Sequence, residues 1–151
     1  MSQSPPPDAA RQAWLGLLAK APAGAVKARL TDSGIDEAFE WLRAPEIGSV
    51  MVRGRTGATG APFNLGEMTV TRGTLRLASG AVGHGVVQGR RKPDCEAAAM
   101  VDALMQTPAA PTVREKILAP LEAQADATRQ TRTRKAAATK VEFFTLVRGE
   151  D

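Results

Sequence analysis

Glu67-Met68-Thr69-Val70-Thr71-Arg72-Gly73-Thr74-Leu75-Arg76-Leu77, then Ser79-Gly80, then Ala81-Val82-Gly83-His84-Gly85-Val86-Val87-Gln88, is the stretch that sets the fold class. Its two runs are rich in valine, threonine and leucine, and the Ser-Gly pair between them supplies a tight turn, so they read as an antiparallel hairpin. Val70 and Leu75 are an odd number apart and face opposite sides of a regular strand, which makes Gly73 a candidate for a bulge that restores register.

Working outward toward the N-terminus, Ala38 to Ala44 and Ser49 to Arg55 have the same texture, with Pro45 and Gly48 placed as a turn between them. They read as two more strands of the meander. Residues 1–7 carry three prolines and no apolar pattern and read as a disordered tail, leaving 8–151 as a single domain. Asp8 can cap a helix bearing Ala10, Trp14, Leu17 and Leu18 on one face. Ala21-Pro22 interrupts it before a second helix with Val26 and Leu30, closed by Ser33-Gly34.

Toward the C-terminus, Asp94 is placed to cap a helix burying Ala97, Met100, Val101, Leu104 and Met105, ended by Pro108 and Pro111. Thr112 to Glu115 reads as a capping box for a short helix that meets Pro120. From Leu121 to about Ala138 the residues favour helix but lack an apolar stripe. The last run, Val141 to Val147, is apolar on both faces and reads as a doubly covered strand, with Phe143, Phe144 and Leu146 as candidate partner-interface residues. The expected fold is therefore α+β: an antiparallel sheet of four to five strands, an N-terminal helical pair, and helices inserted before the last strand.

Composition narrows the function. Hydrophobic residues are 43% and charged residues 24%, the balance of a soluble folded protein. The N-terminus has neither a basic start nor an apolar secretory segment, which points to the cytoplasm. One cysteine, Cys95, and one histidine, His84, cannot make an internal disulfide or a soft-ligand metal site, so no metal and no cofactor is expected on this chain. Cys95 reads as a packing residue. Glu37, Glu46, Glu67 and Asp102 fall on different elements and offer no carboxylate pair, so a surface role is expected of them. The five basic side chains between Asp126 and Lys140 face one acid and give a net +4, which is the whole chain's net charge.

The connector Thr56 to Gly66 is long for a hairpin and rich in glycine. Arg53, Arg55 and Arg72 flank it, and it is the candidate site. Arg53, Arg55, Thr59, Asn64 and Arg72 are the donors suited to phosphate oxygens, none of them as acid or base. The alternative is that the arginines are solvated or pair with a neighbouring subunit's carboxylates. It is not a P-loop, because the G-x-x-x-x-G-K-[ST] spacing is absent. Gly89-Arg90-Arg91-Lys92 reads as a solvated turn that could approach the same anion. Two rivals are a nucleic-acid module on Arg129, Arg132 and Arg134, which lacks interleaved aromatics, and a stand-alone phosphate-ester enzyme using His84.

Several blocks in fixed order carry a resemblance: Arg43-Ala44-Pro45-Glu46-Ile47-Gly48, Arg53 to Gly60, Pro62-Phe63-Asn64-Leu65-Gly66-Glu67, Thr69 to Arg72, Gly89-Arg90, Asp102-Ala103-Leu104, and Val141 to Gly149. From about Arg11 to Gly149 the chain resembles the PhnG family, the G subunits of the bacterial carbon-phosphorus lyase core complex. It departs from the pattern at Arg91 and in the arginine- and alanine-rich stretch Thr128 to Ala138. The resemblance implies partnership with the H, I and J subunits in coupling an alkylphosphonate to the ribose of ATP with loss of adenine. It places ATP as a substrate of the complex, and an iron-sulfur cluster with S-adenosylmethionine on a partner subunit. It assigns no catalytic residue to this chain.

Overall fold

A computed structural model describes residues 8–57 and 59–148, with side chains as far as Thr139. The expected tail 1–7 lies outside the described residues. Helices α1 (Asp8–Lys20) and α2 (Ala25–Ser33) precede strands β1 (Phe39–Arg55), β2 (Pro62–Leu77) and β3 (Val82–Gln88). Helix α3 (Lys92–Leu104) follows, then α4 (Ala110–Val113), a π-helical turn (Arg114–Leu118) and α5 (Ala119–Arg148). The class is α+β as expected, and the sheet is antiparallel in the order β1-β2-β3.

Among the described residues three strands stand where four to five were expected. The two short strands around Pro45 are one long β1, and Pro45 makes a bulge instead of a turn. Arg43 pairs with Thr74 and Glu46 with Arg72, so Ala44 and Pro45 loop out opposite Gly73. An edge strand tolerates this, because a proline there removes no hydrogen bond from the ladder's interior. The expected irregularity thus lies across from Gly73, while β2 and β3 pair without a break from Val70–Gln88 to Arg76–Val82. A side chain at Gly73 would press within 3.2 Å of the Arg43 carbonyl and the Trp41 ring. The absence of one lets the bulge close against β2.

The expected final strand is instead the end of α5. Between Leu121 and Arg148 there is no glycine or proline. Adding residues to an existing helix gains a hydrogen bond each without a new nucleation cost, so the helix runs on through the apolar segment. Pro120 does not stop a helix either. It follows the π-helical turn, where a widened ladder accommodates a residue that cannot donate to its i−4 carbonyl.

The core lies between the sheet and the helices, with α3 at its centre; from Cys95 to Leu104 only Glu96 is exposed. Its position follows from β3, whose inward face reads Gly83, Gly85, Val87. A Cβ at Gly83 would fall 2.6 Å from the Ala103 amide nitrogen, and one at Gly85 2.9 Å from that of Ala99. Helix backbone therefore rests directly on strand backbone, faced by Ala99 and Ala103. Trp14, Leu18 and Val26 close over α3 from one side, and Val113, Ile117, Leu118 and Leu121 complete the core. Gly85→Ala should lower the unfolding free energy by about 1–3 kcal/mol in urea denaturation. An unchanged midpoint would show that the helix can retreat without cost.

Asp102 projects from α3 into this junction with no exposed surface. Its carboxylate accepts hydrogen bonds from Arg11 Nε (3.2 Å) and Nη2 (2.8 Å), Trp14 Nε1 (2.9 Å) and the His84 backbone N–H (2.8 Å). One side chain thereby joins α1, α3 and β3. The Arg11 guanidinium is held above its ordinary pKa, first by the hydrogen bond to Asp102, with partial burial opposing. The expected surface role for Asp102 is overturned, because a charge with four charge-assisted donors can be stable where no water reaches. Asp102→Ala leaves Arg11, the indole N–H and the His84 amide without their acceptor. It should cost about 3–5 kcal/mol, read as a fall in the thermal midpoint.

Candidate functional site

Beyond the end of β3 the first two strands continue alone. Ser49 to Arg55 of β1 pairs with Pro62 to Thr69 of β2 in a two-stranded arm, and the connector Thr56 to Ala61 forms its tip. Gly57 has φ +61°, a left-handed conformation that glycine adopts freely, and the Gly60 amide donates to the Thr56 carbonyl at 3.0 Å, closing the turn. Arg53 lies opposite Asn64 and Arg55 opposite Pro62, so the two guanidinium groups share one face of the ribbon as expected. Both arginines, Thr59 and Asn64 are exposed, and among the described residues no carboxylate lies within 4 Å of either arginine.

Arg72 is not part of this cluster. It pairs with Glu46 at the base of the arm, its Nε 3.4 Å from the carboxylate, and a Cβ added at Gly48 would meet its guanidinium at 3.7 Å. Arg43 bonds the same carboxylate. The strand rise puts this trio roughly 20 Å from Arg53. Linear spacing placed all three arginines beside the connector, but the strands turned out long enough to separate them.

The second basic cluster does not reach the tip either. Arg91 turns inward: its Nε donates to the Gln88 carbonyl (2.8 Å), and its Nη1 to the Ala21 carbonyl (3.1 Å) and Asp94 (3.3 Å). Asp94 does not cap its own helix, which begins two residues earlier. It accepts the Gly24 amide at the start of α2, at 3.0 Å and 3.2 Å. The departure from the family pattern at Arg91 is thus a clamp between the α1–α2 corner and α3.

His84 lies on the sheet face away from α3. Its Nδ1 meets the Thr74 hydroxyl at 3.1 Å, and among the described residues no carboxylate touches the ring. The acid-base pair that a stand-alone enzyme would need is not formed there. Arg129 and Arg132, with Lys20 and Arg114, line a groove of about 880 Å³ between α1 and α5, but Glu122 and Asp126 share it, and Arg129 pairs with Asp126 at 3.2 Å. The charge there is mixed, not a basic stripe. The side chains of Phe143, Phe144 and Leu146 lie outside the described residues.

Cys95 packs in the core as expected, its Sγ 3.4 Å from the Gly85 carbonyl. Burial, with the nearby Glu96 charge assisting, pushes its thiol from an ordinary 9.0 up to about 11. The folded chain therefore holds this proton more tightly than the unfolded chain. That stability is fully present below pH 9 and is lost as pH rises through 11. Unfolding free energy should fall by roughly 1–3 kcal/mol over that window, and a Cys95→Ala variant should lack the slope. A wild-type profile that stays flat from pH 9 to 11 would contradict this.

The comparison with known proteins agrees with the resemblance. The model of the family described as phosphonate metabolism protein PhnG matches residues 9–149. This chain belongs to that family. A curated relative from Rhizobium meliloti (strain 1021), alpha-D-ribose 1-methylphosphonate 5-triphosphate synthase subunit PhnG, is 44% identical over 145 residues, covering 95% of this chain and 92% of the relative. The matched region takes in α1 from its second residue on, both strands of the arm and all of α5. Among the described residues no helix is long and apolar enough to cross a membrane, and no cluster of three metal-ligating side chains occurs.

Proposed function

We propose that this chain is a non-catalytic subunit of a cytoplasmic assembly that forms alpha-D-ribose 1-methylphosphonate 5-triphosphate from ATP and methylphosphonate, releasing adenine. The observation that carries this reading is the near full-length identity to a subunit of that synthase. The H, I and J subunits of the carbon-phosphorus lyase core complex are its partners. ATP is a substrate of the assembly, and the iron-sulfur cluster and S-adenosylmethionine belong to a partner. Two features favour a supporting role: an exposed histidine whose side-chain hydrogen-bond partner among the described residues is a threonine, and a two-stranded arm too slight to be stable without cover.

Within that assembly, Arg53 and Arg55, with Thr59 and Asn64, are donors to triphosphate or phosphonate oxygens. Their common face and lack of a counter-ion among the described residues support this role, and neither acts as acid or base. Arg72, already engaged with Glu46, stands outside it. The chain alone should release no adenine from ATP and methylphosphonate, and adding it to its co-expressed partner subunits should restore release. Arg53→Ala/Arg55→Ala should lower the rate at least about tenfold, as loss of charge-assisted hydrogen bonds implies, with the complex's mass unchanged. Wild-type turnover by the double variant would remove the donor role and leave the subunit role standing.

A further inference from the structure

We infer that the free edge of β1 from Gly48 to Val52 is a docking strand, taking an extended, apolar segment of a partner protein as an additional strand of the arm. The inference rests on the reading of the chain as a subunit.

The two halves of β1 differ in how their outer edge is treated. From Arg43 to Glu46 the edge is closed to pairing by the bulge, by Pro45 and by charges. From Gly48 to Val52 it has no proline, no charge and no bulge, because the register shift after Val52 places its extra residue, Leu65, on β2. The opposite edge of the arm is less open. The Gly89 amide donates to the Thr69 carbonyl at 2.8 Å, and Pro62 lies near the tip. One uninterrupted row of backbone donors and acceptors therefore remains, and it lies on β1.

The side chains beside that row match an apolar guest. Counting by twos from the register, Val50 and Val52 share a face with Met68, Phe63 and Leu65. This is the sheet face away from α3. Phe63 is 44% exposed and Leu65 62%, and on the other face Met51 is 53% exposed. A strand added beside β1 would lay alternate side chains on Val50 and Val52, which is the usual division in strand addition between backbone affinity and side-chain specificity.

Size argues against a second copy of this chain as the guest. One arm face is about 25 Å by 10 Å, so two arms stacked face to face bury roughly 500 Å² in total, in the range of lattice contacts. Edge-to-edge pairing of two arms over Gly48 to Val52 adds a seam only roughly 17 Å long and leaves both apolar faces of each arm uncovered. A partner that adds a strand and covers both faces passes the roughly 1,000 Å² that a specific interface needs.

The test uses the full chain with the remaining subunits of the synthase assembly co-expressed. In the wild-type complex, hydrogen exchange of the amides from Gly48 to Val52 should slow at least tenfold relative to the chain alone. Val50→Lys/Val52→Lys should keep the thermal midpoint of the isolated chain, since the arm lies outside the core, and should weaken assembly at least tenfold. Unchanged exchange, or assembly as tight as wild type by the lysine variant, would overturn the inference and leave the subunit reading intact. Failure of the wild-type chain to assemble at all would overturn both. An isolated chain that dimerises, with the dimer lost in the lysine variant, would assign the edge to a second copy instead.

Discussion

The approach of α3 to β3 is the contact from which the rest of this domain follows. Gly83 and Gly85 remove two side chains from the inner face of β3, and Ala99 and Ala103 keep the facing helix surface small. Backbone then lies on backbone. At that separation the Asp102 carboxylate reaches the His84 amide directly, and from the other side it takes the Arg11 guanidinium and the Trp14 indole. Larger residues at these glycines would lift the helix and strand a charged carboxylate in an apolar layer, where its desolvation cost would have no compensation. Tight packing and buried charge are two aspects of the same junction.

The compactness of that junction explains the shape of the remainder. With α3 seated on β3 and the inner half of β2, the core lies over one end of the sheet. The strands nevertheless run on, and among the described residues their apolar side chains Val50, Val52, Met68, Phe63 and Leu65 stand outside that core. In a monomer such a ribbon is an aggregation liability, whereas in a subunit it is a means of attachment. The two exposed arginines at its end are carried wherever the ribbon is seated.

Much of the fold was legible in the linear sequence because it depends on local signals. The two N-terminal helices, the Gly34 stop, the Ser79-Gly80 hairpin and the buried face of α3 follow from periodicity and turn chemistry, and each is present. The departures have physical causes. Pro45 and Pro120 read as breaks because proline removes a donor, but an edge bulge and a π-helical turn each absorb that loss. The apolar run near the C-terminus reads equally as strand or helix because a short apolar segment has no period of its own, and the uninterrupted helix before it carries it into α5.

The sequence by itself determined the class of the domain, the amphipathic elements, the basic arm tip and membership of the phosphonate metabolism family, since these rest on residue order over short spans or along the whole chain. Only the tertiary structure decided what each charge does. It separated Arg72 from Arg53 and Arg55, turned Arg91 and Asp94 into a clamp between helices, and drew Asp102 into the core. The reason is distance: partners such as Arg11 and Asp102 are 91 residues apart in the chain and 2.8 Å apart in space. No local rule of spacing or periodicity connects residues so widely separated along a chain.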